Sequence, residues 1–138
     1  MTQYKLLSIG FIAMLLITGC DQKNNGARSV AEAPLAVKGG KPGKGEQVPA
    51  NLVCMVNDAY MSSAQLAVPF EGKIYYGCCE MCRQRIPSDR KARYATDPQT
   101  LEQVDKAVAY IVLIGDKGEV AYFKNKINYL KFRAENKL

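Results

Sequence analysis

The sequence predicts an α+β fold: a cysteine-bearing hairpin and short helix, followed by a second β-hairpin and a C-terminal helix. Three observations carry this. Residues 65–70 and 73–76 are strand-like runs on either side of Glu71-Gly72, a hairpin turn signal. Residues 107–114 read AVAYIVLI, a continuous apolar strand that the turn GDKG returns into residues 119–123. Each hairpin leads into a helical pattern, residues 79–86 after the first and a segment carrying Ile127, Leu130 and Phe132 after the second.

Taken in order, the elements begin with a leader. Lys5 precedes residues 6–17, LLSIGFIAMLLI, an apolar stretch too short to cross a hydrocarbon core of ~30 Å. It reads as the h-region of a secretion signal covering residues 1–19. The ending Ile17-Thr18-Gly19-Cys20 resembles a bacterial lipobox, which implies cleavage before Cys20 and lipid on its sulfur. Several acyl chains give stable anchoring, since each buried CH2 contributes ~0.8 kcal/mol. The expected location is the cell envelope, lipid-anchored to a membrane and facing the oxidising periplasm.

Residues 20–50 are dominated by Gly, Pro, Lys and Asn and read as the lipidated cysteine with a flexible tether, because so few apolar side chains cannot offset ordering entropy. Residues 51–138 form the single expected domain. It opens with residues 52–56, a short apolar run carrying Cys54. The helix over 79–86 is expected to stop before Pro87, with Ser88 capping a second short helix through Tyr94. Asp97-Pro98 marks a further cap or turn, and Asn125 caps the final helix.

The formal net charge is +6, and subtracting the one lysine of residues 1–19 leaves +5. Nucleic acid is not an expected partner outside the cytoplasm, whereas an anionic membrane surface is a compatible one. There is no histidine, so the commonest neutral metal ligand and general base is missing. No phosphate-binding glycine loop, paired-carboxylate constellation or nucleophile–base pair is visible, and the chain is not expected to be an enzyme. Tyr75, Tyr76, Tyr94 and Tyr110 read as core or cross-strand residues, and the basic group from Arg83 to Arg93 as a solvated helix face that favours thiolates nearby.

The chemistry concentrates in YYGCCEMCRQR, which begins at Tyr75. Cys54 is followed after 23 residues by Cys78, and Cys82 stands four further on. Cys78 and Cys82 can converge at i,i+4, and Cys79 and Cys82 at i,i+3; spacing alone does not choose. Four cysteines besides Cys20 allow a soft-metal site, a structural zinc site, thiol–disulfide chemistry at Cys79-Glu80-Met81-Cys82, or two disulfides. Adjacent Cys78 and Cys79 cannot pair with each other without strain. Thiolates select Cu(I) and Zn(II), and thioethers favour Cu(I). Met81 lies inside the cluster as a candidate ligand, with Met55 and Met61 close in sequence. Glu80 and Asp58 are potential oxygen donors that read more simply as solvated side chains.

The pattern Cys54, Cys78, Cys82, with the aromatic run IYYG before the second cysteine, resembles the TRASH domain and the related YHS domains. These are small treble-clef-like modules of heavy-metal sensing, trafficking and resistance. The resemblance spans residues 52–86 and implies that Cys54, Cys78 and Cys82 are the metal-binding cysteines. The spacer is slightly longer than usual in that family, and Cys79 is additional. The segment RYATDPQTLEQVDKAVAYI resembles the tail of copper-binding lipoproteins that accompany nitrous oxide reductase. The combined expectation is a lipoprotein that binds Cu(I), or secondarily Zn(II), for sequestration, for sensing, or for delivery to a partner such as a metal transporter or metalloprotein.

Overall fold

The computed structural model describes residues 41–136. The expected signal peptide, the lipidation site Cys20 and the tether as far as residue 40 lie outside the described residues.

Among the described residues, eight short strands pair into four antiparallel two-stranded ribbons. These are β1 (Val53–Cys54) with β2 (Ala59–Tyr60), β3 (Leu66–Phe70) with β4 (Lys73–Gly77), β5 (Tyr94–Thr96) with β6 (Gln103–Asp105), and β7 (Tyr110–Leu113) with β8 (Val120–Phe123). Three helices, α1 (Glu80–Ser88), α2 (Arg90–Arg93) and α3 (Lys126–Asn136), complete the α+β fold. A lone two-stranded ribbon is marginal in water. The ribbons therefore depend on a shared core, in which Val53, Met55, Tyr75, Ile86, Ile111 and Tyr122 are all buried.

The β3–β4 hairpin closes as its sequence predicts. Glu71 and Gly72 both take positive φ, 48° and 73°, the conformation of a two-residue loop whose twist matches the strands. Val68 and Tyr75 face each other across the ribbon, and both are buried.

The β7–β8 ribbon is shorter than the apolar run suggests. The Asp105 carboxylate accepts the Ala107 N–H at 3.0 Å, and its carbonyl accepts the Val108 N–H at 3.2 Å, so residues 106–109 form a turn before β7. Both edges of the ribbon are covered. On the β7 side, Gly45 N–H donates to the Leu113 carbonyl at 2.7 Å and Val48 N–H to the Ile111 carbonyl at 3.0 Å. On the β8 side, Tyr60 N–H donates to the Gly118 carbonyl at 2.7 Å and Val120 N–H to the Asp58 carbonyl at 3.1 Å. The ordered fold thus begins before residue 51: the glycine-rich approach is read as tether by composition, but its backbone pairs with β7 and Val48 is buried.

Helix α1 runs through Pro87 rather than ending before it. Proline in the last turn forfeits one N–H but leaves the earlier turns intact. The cap of α2 is Asp89, not Ser88: its carboxylate accepts the Lys91 N–H at 2.8 Å. Arg93 is not a solvated residue of a basic face. Its guanidinium donates to the carbonyls of Ile86 and Pro87 at the end of α1, and it lies 4.5 Å over the Phe70 ring.

Asn125 caps α3, accepting the Asn128 N–H at 2.9 Å. The buried face of α3 is only partly the expected one: Phe132 packs on Phe123, their ring centroids 5.4 Å apart. Tyr129 is its buried residue, stacked on Tyr110 and edge-on to Phe123, while Ile127 and Leu130 face solvent. Among the described residues no helix is long and apolar enough to cross a membrane.

Asp97 does more than turn the chain. Fully buried, it accepts from Gln99 N–H at 2.8 Å, Lys124 N–H at 2.8 Å and the Asn128 amide at 2.7 Å, tying the β5–β6 loop to the start of α3. Burial pushes its pKa up, but these donors outweigh burial and hold it below the ordinary value. Its contribution to stability is therefore present above the unfolded carboxyl pKa of about 3.9 and is lost as pH falls through the lower folded value. Asp97→Asn, which sets an amide against those donors, is expected to cost about 1–3 kcal/mol at neutral pH. Urea denaturation should show that gap narrowing as the pH is taken from about 4 towards 2.

Candidate metal centre

Two pieces of chain deliver the cysteines. Cys54 ends β1, and residues 55–58 turn back into β2, with Asp58 at φ 52°. Cys78 follows β4 directly, Cys79 occupies the N-cap of α1 in an extended conformation, and Cys82 lies in the first helical turn. A backbone–backbone hydrogen bond joins the two pieces: Met55 N–H donates to the Tyr76 carbonyl at 2.9 Å.

Gly77 permits the close approach of strand and helix. A Cβ there would lie 3.0 Å from the Cys82 Cβ and 3.1 Å from the Arg83 nitrogen. Any larger residue pushes α1, and Cys82 with it, away from β4.

The result is a cluster of three sulfurs. Cys54 and Cys82 are 3.9 Å apart, Cys78 and Cys82 3.5 Å, and all three lie within 4.8 Å of one another. Metal–thiolate bonds of about 2.3 Å place ligand sulfurs roughly 3.8–4.0 Å apart in tetrahedral or trigonal geometry. The cluster brackets that spacing and is far from the ~2.0 Å of a disulfide. Cys54, Cys78, Cys79 and Cys82 are all free thiols. The three clustered cysteines can hold a metal ion.

The sulfurs differ in their surroundings. Burial pushes the Cys54 thiol up, yet the backbone N–H groups of Asn57, Cys78 and Val56 and the Cys78 thiol point at it and bring it below the ordinary value. Burial and the neighbouring thiols push Cys78 up to about 12, and burial is also the chief cause that raises Cys82. The Asn57 side-chain amide reaches Cys78 Sγ at 3.6 Å. Of the three sulfurs, Cys54 is the one whose surroundings favour a thiolate, because three backbone N–H groups and the Cys78 thiol are directed at it. The basic helix residues are not what favours it: Arg83 pairs with Glu80 at 3.4 Å and Arg85 with Asp89 at 2.9 Å.

The remaining candidates are placed differently. Cys79 is half-buried beside the cluster, its sulfur interacting with those of Cys82 and Cys78, and the Cys82 N–H facing it lowers its pKa. Met81 is 78% exposed on the first turn of α1, Met55 is in the core, and Met61 is at the surface. Glu80 is committed to Arg83 and Gln84. Asp58 is not simply solvated: it accepts from Lys106 Nζ at 2.5 Å.

Lys106 went unrecognised in the sequence. It is 2% exposed, donates to the Met55 carbonyl at 2.7 Å and to Asp58, and lies 5.1 Å over the Tyr122 ring. It fixes both ends of the turn that follows Cys54. Asn57 and Gly77 are the other unheralded contributors. A glycine just before a cysteine and a helix start was the one available signal for close backbone approach.

Searches with protein-family models, against curated proteins and against solved structures return no match to this chain.

Two outcomes follow from this geometry. Gly77→Ala is expected to destabilise the domain by about 1–3 kcal/mol through overpacking, read by thermal denaturation, and to displace Cys82 from the other two sulfurs. Lys106→Met leaves the Met55 carbonyl without its donor, and the expected loss is about 1–3 kcal/mol, read by thermal denaturation. The loss is held to that range because Asp58, its side chain 47% exposed, can be solvated when the ammonium is removed.

Proposed function

We propose that this protein binds a soft metal ion through Cys54, Cys78 and Cys82 and serves in metal handling: sequestration, delivery or sensing. The observation that carries the reading is the convergence of three free thiols within 4.8 Å from strand β1 and the β4–α1 junction. Cu(I) is the first choice and Zn(II) the second. Three thiolates match a trigonal Cu(I) site, while structural zinc takes four protein ligands. In this reading the cysteine module is TRASH-like, the residues before it form a lipoprotein leader and tether, and Cys20 holds the protein on a membrane of the cell envelope. The partners are a metal transporter or metalloprotein that exchanges the ion, and the chain is not an enzyme.

The second reading is thiol–disulfide chemistry at Cys79 and Cys82. Its support is Cys79 at a helix N-terminus with its pKa lowered. The two readings separate in one experiment. The full chain is purified anaerobically in detergent and titrated with Cu(I) and Zn(II) against a competing chelator while free thiols are counted. Tight binding of about one equivalent is expected, falling at least about tenfold in Cys54→Ser and mostly kept in Cys79→Ser. Absence of tight binding by fully reduced protein overturns the metal reading. A Cys79–Cys82 disulfide that cycles at a defined potential without metal would favour the second.

Proton release gives a further check. Cys78 and Cys82 are held protonated, and a ligand sulfur must be a thiolate. Affinity should therefore fall as pH falls, by up to about tenfold per unit for each proton displaced, when competition titrations are compared at about pH 8 and pH 6.

A further inference from the structure

We propose that Cys79 is an exchange ligand: the thiol through which a metal ion enters and leaves the Cys54–Cys78–Cys82 cluster. This inference rests on the metal-handling reading above and specifies how the site would pass its ion on. The cluster is asymmetric in its access. Cys54 is fully buried and Cys82 nearly so, at 0% and 7% exposure, whereas Cys78 is half-buried. An incoming ligand therefore meets the cluster from the side of Cys78. Cys79 is already there, half-buried, its sulfur interacting with both Cys78 and Cys82. It is placed one residue from a ligand yet outside the three mutually close sulfurs. At the N-cap it precedes the helical backbone, so its side chain can swing without disturbing α1.

The step is an associative substitution at constant metal oxidation state. The bond from the metal to the Cys79 sulfur forms first, and the Cys79 proton leaves to water. The bond to Cys78, the most exposed of the three, then breaks, and its thiolate takes up a proton. An acceptor thiolate then attacks the three-coordinate ion in the same way: its bond to the metal forms, the bond to Cys79 breaks, and further acceptor donors displace Cys82 and Cys54, each departing thiolate taking up a proton from water. The charge on the ion is unchanged, and no oxidant or reductant takes part. The partner class is thus a soft-donor, thiolate-bearing acceptor that approaches the end of the module carrying Cys78, Cys79 and the exposed Met81.

The test separates rate from affinity. The full chain, loaded with one equivalent of Cu(I) under anaerobic conditions, is mixed in a stopped-flow instrument with a chromogenic thiol-containing Cu(I) chelator. Equilibrium affinity is measured in parallel by competition. For Cys79→Ser the expected result is an affinity within about threefold of wild type and a transfer rate about tenfold slower, in both loading and release. A transfer rate equal to wild type overturns the proposal. So does an affinity that falls together with the rate, since Cys79 would then be a resident fourth ligand. Failure of the wild type to take up Cu(I) at all is a separate outcome, which removes the metal reading and this inference with it.

Discussion

Both peptide groups of Met55 are spoken for by other parts of the chain, and the arrangement of the cysteines depends on it. Its N–H donates to the Tyr76 carbonyl on β4, its carbonyl accepts from the buried Lys106 ammonium, and its side chain lies in the core. The first bond aligns the Cys54 turn with the strand that delivers Cys78 and Cys82. The second anchors the same turn to the chain between β6 and β7. Buried peptide groups are costly to leave unpaired, so a single residue fixes the relative position of three segments distant in sequence. The sulfur spacing is a consequence of that junction together with the missing Cβ at Gly77.

This arrangement places charged groups inside a small domain, and Lys106, Asp97 and Arg93 each have partners there. The Lys106 ammonium has a carbonyl, a carboxylate and an aromatic face. The Asp97 carboxylate has donors on both oxygens, and Arg93 answers the last carbonyls of α1 while stacking on Phe70. Such groups add little net energy when satisfied but impose a large penalty on any packing that separates them. They specify one assembly of four ribbons that individually have little hold on one another. Val, Ile and Tyr supply the bulk of burial, and the buried polar contacts select which burial is realised.

What was legible in the sequence follows from range. The Glu71-Gly72 turn, the β3–β4 hairpin, the first helix and the Asn125 cap are decided by neighbours a few residues apart, and residue type reveals them. The ribbons β1–β2 and β5–β6 are two or three residues per strand and leave no period to read. The apolar run at 107–114 overstated its strand because the Asp105 side chain captures the Ala107 N–H. The approach to Val48 reads as tether because its pairing with β7 uses backbone groups, which composition does not report. Lys106 reads as a surface lysine, and its burial is set by Asp58, 48 residues away. At the site, the pattern Cys54, Cys78, Cys82 was visible by resemblance. Spacing by itself did not select the pair: it permits Cys79 as readily as Cys78, and the choice is made by how β4 enters the helix.

The same network bears on what a bound ion would do for the fold. A domain held together by its metal needs that ion to join segments that nothing else joins, and it unfolds when the ion is removed. Here β1 is already joined to β4 through Met55 and Tyr76, and α1 to the β5 side through Arg93, without any metal–sulfur bond. The three thiols lie close together in a cluster of free cysteines, with N–H groups of the surrounding loops directed at Cys54 and Cys78. The cysteines are thus positioned by bonds that do not depend on an ion. The proposed exchange of metal requires such bonds, and a small domain in which zinc acts as a staple lacks them.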